Sequence, residues 1–196
     1  MSTGQSNRIR AFIAIDLPAQ VITDLDQLQQ QIRRNLDIKA SWPRPRNIHL
    51  TLKFLGSIPM GQINAVIQAM TQARDQLNSR AIQLSCGGIG VFPSVKRPKV
   101  LWAGLRKDTH LLGEMHQHLN AGLSPLGFTP ESRRFSPHLT LARIKKSSIS
   151  AKRWIRLIQE YGDFETRSFQ VDSIKLFKSE LTPSGAVYST LSVLNL

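Results

Sequence analysis

Cysteine is nearly absent: Cys86 is the only one in 196 residues. One thiol can neither close an internal disulfide nor build a cysteine-ligated zinc site. With no disulfide framework, a cytoplasmic location is the default expectation. Long apolar runs are missing too. The longest uncharged stretches that are also apolar fall far short of the roughly 20 residues a membrane helix needs, so no membrane partner is expected. "RIRAFIAIDLP" (8–18) joins a basic start to an apolar run, but the run ends at Ile15, before Asp16. That is too short for the core of a secretory signal and reads as a buried first strand. Low-complexity segments and long linkers are absent, so residues 1–196 read as a single two-lobed domain, by default a monomer. Acids are scarce: 13 Asp and Glu stand against 26 Lys and Arg, a formal charge of +13. That imbalance favours a polyanionic partner, nucleic acid first.

The basic residues fall in short groups: Arg44 and Arg46; Lys96, Arg97 and Lys99; Arg133 and Arg134; Arg143, Lys145 and Lys146; Lys152 and Arg153. The spacing predicts a strand over 10–16 and a helix over 18–36, with apolar residues at 21, 22, 25 and 28. The prolines of "SWPRPRN" predict a loop. A helix over 60–79 carries the stripe Ile63, Val66, Ile67, Met70 and Ala73. "AIQLSCGGIGVF" and "KVLWAGL" read as strands, 108–123 and 150–161 as helices, and "SFQVDSIKLFKSEL" with "AVYSTLSVLNL" as a hairpin around "TPSG". The order predicts an α+β fold with helices packed outside antiparallel sheets.

Two segments repeat four letters. "NIHLTLKFLG" (47–56) and "SPHLTLARIK" (136–145) both contain His-Leu-Thr-Leu. On a strand, His49 and Thr51 share one face, as do His138 and Thr140. Each copy sits among matching parts: helix, loop, strand, helix. An internal pseudo-twofold would bring two imidazoles and two hydroxyls to one cleft. Histidine titrates near neutrality, so one ring can act as base and the other as acid. That suits in-line displacement at phosphorus, with the threonine hydroxyls donating to non-bridging oxygens. No carboxylate cluster accompanies the histidines, and two imidazoles alone leave a zinc site short. No cofactor or metal is therefore expected.

Other features read as structural. His110, His116 and His118 lie on one helix and read as solvated. Trp42 and Trp102 read as packing rather than base-stacking platforms. Gly87, Gly88 and Gly90 lack a following P-loop lysine and read as a turn or bulge.

The paired motif resembles the two-histidine phosphoesterase superfamily. It is similar in particular to the bacterial and archaeal RNA 2',3'-cyclic phosphodiesterases, historically called 2'-5' RNA ligases. The likeness runs almost end to end, through "RAFIAIDLP", "NIHLTLKFLG", "FPSVKRPKVLWAGL", "LGFTPESRRFSPHLTLARIK" and "LFKSELTPSGAVY" in that order. The resemblance implies a two-lobed pseudo-symmetric fold, with an antiparallel sheet in each lobe lining a central cleft. It implies metal-independent hydrolysis of RNA 2',3'-cyclic phosphate ends to 2'-phosphomonoesters, and a weak reversible 2'-5' ligase activity on tRNA-half-like ends. It makes His49 and His138 the catalytic pair and Thr51 and Thr140 phosphate ligands. His49 is assigned here as acid and His138 as base, although the residues themselves leave the order open. Arg143 matches the family's phosphate-binding arginine. Its odd offset of five from His138 puts it on the opposite strand face unless a bulge or twist intervenes. The matching place in the first half is Phe54. Arg133 matches a recurrent arginine, read as a loop support. Two rival readings are a small cyclic-nucleotide phosphodiesterase and a basic RNA-binding protein without catalysis.

Overall fold

A computed structural model describes residues 7–79, 81–131, 134–183 and 185–196. The strands are β1 (Arg8–Ile15), β2 (Ile38–Ser41), β3 (Leu50–Pro59), β4 (Ile82–Phe92), β5 (Val100–Lys107), β6 (Leu139–Ser147), β7 (Phe169–Val171), β8 (Ser173–Thr182) and β9 (Gly185–Asn195). The helices are α1 (Ala19–Asn35), α2 (Ile63–Asp75), α3 (Thr109–Leu123) and α4 (Ala151–Glu160). The sheet order is β7-β4-β5-β6-β3-β1-β8-β9, with β2 added along β6. Every pairing is antiparallel.

Two half-sheets meet at the motif strands. β3 and β6 share one registered pair, Leu50 with Leu139. These leucines hold the same place in the two motifs, so the pseudo-twofold axis passes between them. The lobes also exchange parts. β4, from the first half of the chain, pairs with β5 beside β6, while β8 and β9, from the second half, extend β1 beside β3. Helices follow the same exchange: α3 packs on β3 and α2 on β9, and the Gln29 amide of α1 reaches β6.

The helical stripes are buried as the periodicity predicts. Val21, Leu25, Leu28 and Ile32 of α1, Val66 and Met70 of α2, and Trp154 and Leu157 of α4 all enter one core behind the sheet. A second, small cluster lies on the open face: Phe12, Ala14 and Phe177, with Tyr188 against them. β1 has apolar side chains on both faces for this reason, with Ile13 and Ile15 towards the helices and Phe12 and Ala14 towards the cleft.

Several boundaries differ from the sequence reading. The second helix, read over 60–79, is α-helical only over Ile63–Asp75. Residues 38–41 form the short strand β2, which polar neighbours hide from a periodicity count. "SFQVDSIKLFKSEL" is two strands rather than one. β7 pairs with β4 and β8 with β1, so the chain crosses between lobes at Asp172.

Candidate active site

His49 immediately precedes β3 and His138 immediately precedes β6. Both line one cavity of about 480 Å³, together with Thr51, Thr140 and Arg143. All five residues selected from the sequence therefore meet in one place. No carboxylate lines this cavity among the described residues.

The rings are held alike. His49 Nδ1 lies 2.8 Å from the Asn47 carbonyl oxygen, and His138 Nδ1 lies 2.8 Å from the Ser136 carbonyl oxygen. A carbonyl only accepts, so Nδ1 is the donating nitrogen in both rings. In the neutral ring Nε2 is then the accepting nitrogen. His49 stacks on Phe12 at 4.8 Å between centroids and meets Tyr188 edge-on at 5.2 Å. His138 meets Phe92 edge-on at 5.0 Å. Burial lowers the pKa of His49 below its ordinary 6.5. The Asn47 carbonyl and Asp16 oppose that shift, and the Arg143 charge adds to it. Before substrate binds, His49 is therefore neutral near pH 7. Tyr188 is shifted upwards by burial and stays a phenol.

Arg143 reaches the cavity through a β-bulge. Trp102 pairs with Thr140 and Leu101 pairs with Ala142, so Leu141 is an extra residue on β6. The insertion reverses the alternation, and Arg143 emerges on the face of Thr140. Gln29 Nε2 donates to the Leu141 carbonyl at 2.8 Å, satisfying a polar group of the disrupted ladder. The first motif strand carries the same device. Ala14 pairs with Thr51 and Ile13 with Lys53, which leaves Leu52 as the extra residue. Phe54 is thereby turned out into the cavity, 60% exposed, and Lys53 is turned into the core, 2% exposed. Strict alternation would have given the reverse. The halves match down to the bulge and then diverge: where one offers a guanidinium, the other offers a phenyl ring.

The rest of the cavity wall comes from elements remote in sequence: Trp42 and Arg44 before the motif, and Leu181, Thr182, Ala186 and Tyr188 from the last hairpin. Phe12 and Tyr188 were not selected from the sequence. The signal for Phe12 was present, since a strand apolar on both faces needs something to cover its second face. Tyr188 shares the parity of Ala186 on β9, but only the pairing of β8 with β1 places that hairpin beside His49.

Other sequence candidates resolve individually. His116 is buried, contrary to the expectation of a solvated helix. Its ring stacks on Phe135 at 4.2 Å, and Asn120 Nδ2 lies 3.2 Å from it. His110 is exposed and His118 is half-buried. Trp42 packs partly on the core. Gly88, at φ +63°, forms the expected bulge in β4, where Gly87 and Ile89 pair with consecutive residues of β5. Arg133 lies outside the described residues. Cys86 is buried and its thiol is pushed up to about 12 by that burial, so it is no nucleophile. Among the described residues, no group of three or more His, Cys, Asp or Glu could hold a metal ion.

Matched halves that each bring a His-x-Thr strand to a shared cleft define a two-histidine phosphoesterase architecture. The family model described as LigT like Phosphoesterase matches in two segments, residues 15–102 and 106–188, each holding one motif. The chain belongs to this family. Proteins called RNA 2',3'-cyclic phosphodiesterase are similar over most of its length. The one from Methanothermobacter thermautotrophicus is 30% identical over 96% of this chain and all of its own. The one from Methanocaldococcus jannaschii is 31% identical over 93% of this chain and 98% of its own. Among solved structures, TT0787 of Thermus thermophilus superposes with a TM-score of 0.76 at 25% identity, covering 96% of this chain and 98% of that one. E. coli LigT complexed with 3'-AMP gives 0.72 at 22% identity, covering the same shares. No helix among the described residues is long and apolar enough to cross a membrane.

Proposed function

We propose that this protein hydrolyses RNA 2',3'-cyclic phosphate ends to 2'-phosphomonoesters without a metal, acting as a cytoplasmic monomer of one two-lobed domain. The observation that carries the reading is the pair of histidines. Each is pinned at Nδ1 by the carbonyl two residues earlier, and each lines the same cavity as two threonines and an arginine. The names of its relatives support the same substrate.

In the proposed reaction His138 Nε2 removes a proton from water as the water oxygen attacks phosphorus. The bond from phosphorus to the 3' oxygen breaks in line, and His49 Nε2 protonates that oxygen. The Thr51 and Thr140 hydroxyls and the Arg143 guanidinium stabilise charge on the non-bridging oxygens. His49 is neutral before substrate binds. Its working proton arrives with the substrate, whose phosphate offsets Arg143 and favours the imidazolium. The same displacement with a 5'-hydroxyl in place of water is a 2'-5' ligation of tRNA-half-like ends. Hydrolysis prevails because water is abundant.

The test is a short RNA ending in a 2',3'-cyclic phosphate, incubated with EDTA and wild type, His49→Ala or His138→Ala. The expected result is a 2'-phosphate product from wild type and collapse in both variants. RNA that binds without turnover would favour a non-catalytic RNA-binding protein. Turnover confined to cyclic mononucleotides would favour the small-nucleotide reading.

A further inference from the structure

The open face of the β4–β5–β6 lobe carries an aromatic shelf that the reaction does not use. Trp102 is directly opposite Thr140 in the ladder and Val100 is opposite Arg143, so the shelf is continuous with the cleft. Phe92 meets the His138 ring at 5.0 Å and the Trp102 ring at 5.1 Å. Neither Trp102 nor Phe92 joins the apolar core behind the sheet.

The glycines of β4 explain how the indole lies. Gly90 is opposite Trp102, and a Cβ on Gly90 would come within 2.2 Å of the indole ring. A Cβ on Gly104 would meet the same ring at 3.5 Å. The ring therefore lies down on bare backbone rather than standing up between side chains. Its Nε1 is sealed from solvent, so what solvent reaches of this half-buried residue is not its N–H edge. Beside Phe92, the turn between β4 and β5 carries Lys96, Arg97 and Lys99. All three are exposed, and none makes an ion pair with another described residue.

A flat aromatic face beside cations that no described carboxylate pairs, continuous with the proposed phosphate site, has the chemistry of a single-strand nucleic-acid subsite. Bases stack on such faces whatever their identity, and the cations take the backbone phosphates. We infer that Trp102 is the stacking platform for the base of the penultimate nucleotide. The RNA strand leaves the cleft over β5 and β4, past Lys99 and Arg97. This inference rests on the proposed reaction and makes its substrate an oligonucleotide rather than a mononucleotide. Recognition through stacking predicts little preference for which base stands there.

The experiment compares kcat/KM for a cyclic-phosphate pentanucleotide with that for a cyclic mononucleotide. Wild type should favour the pentanucleotide. Trp102→Ala should reduce that preference about tenfold or more. Gly90→Ala, which displaces the ring without altering it, should reduce it in the same direction. Trp102→Phe should keep most of it, which separates a lost platform from a damaged fold. A wild-type enzyme without length preference, or a preference untouched by Trp102→Ala, would overturn the inference. Binding of a 2'-phosphate-ended pentanucleotide against 2'-AMP, measured by calorimetry, reads the shelf independently of turnover. Absent catalysis with Trp102-dependent pentanucleotide binding would sink the proposed reaction and leave the shelf standing. Equal binding of both by wild type and Trp102→Ala would sink the shelf.

Discussion

Lys53 Nζ donates to Asn120 Oδ1 at 2.7 Å, tying the first motif strand to α3 behind the sheet. The same ammonium donates to the Thr129 carbonyl at 3.0 Å, and Glu131 stands 4.0 Å away. Burial holds the pKa of Lys53 below its ordinary value, and Glu131 opposes that shift. Asn120 in turn touches His116, which stacks on Phe135, one residue before the Ser136 carbonyl that orients His138. A lysine on one motif strand thus braces the approach to the other.

Lys53→Met keeps the unbranched stem out to the ε carbon and removes the ammonium with its three donors. Asn120 Oδ1 and the Thr129 carbonyl then lose a partner in a buried place. The expected loss is about 1–3 kcal/mol, read from urea unfolding. Turnover should fall as well, through looser placement of His138. Unchanged stability would show that the ammonium and its acceptors are solvated.

Arg143 is the residue on which the two halves differ most. Arg143→Ala should lower kcat/KM on a cyclic-phosphate RNA by about 10²–10³. Phe54→Ala should cost much less. Gln29→Leu keeps the guanidinium but removes the donor on the carbonyl of the bulge that places it, and should cost activity in the same direction as Arg143→Ala. Equal, small effects at Arg143 and Phe54 would place the phosphate elsewhere.

Binding of a phosphate-bearing product should carry a proton. His49 is held neutral by burial, with Arg143 adding to the effect, and an anion beside Arg143 reverses that balance. Calorimetric titration of 2'-AMP near pH 7 in buffers of different ionisation enthalpy should show net proton uptake. The uptake should be lost in His49→Asn. Heats independent of the buffer would remove His49 from the phosphate's surroundings.

Stability should fall on mild acidification. His49 and His116 both have folded-state pKa values lowered by burial. For such groups the contribution to stability is full above about pH 6.5 and is lost as pH drops through the folded value, because the unfolded chain takes the proton first. His116→Gln should narrow the loss of Tm between pH 7 and pH 5. An unchanged loss would mean that His116 is not buried as a neutral ring.

The helices and the two motif strands were legible because their apolar spacing answers directly to burial. His49, Thr51, His138 and Thr140 were legible because each pair spans the first residues of one extended segment, ahead of any irregularity. Arg143 could be placed only conditionally, since the bulge at Leu141 depends on the pairing with β5 and on Gln29 from α1. The burial of Lys53 and exposure of Phe54 were hidden by the same kind of insertion at Leu52. Tyr188 and His116 owe their positions to elements far away in sequence, which spacing along the chain does not encode.

The exchange of strands between lobes leaves nowhere to cut the chain into two self-sufficient pieces. A break between β4 and β5 would strip one fragment of β8 and β9 and deprive the other of β4, α1 and β2. Each piece would hold one histidine and an unfinished sheet whose missing edge is carried by its partner. Nicked there, the molecule should stay clasped together and keep its cleft. Expressed apart, the pieces should become competent only on mixing.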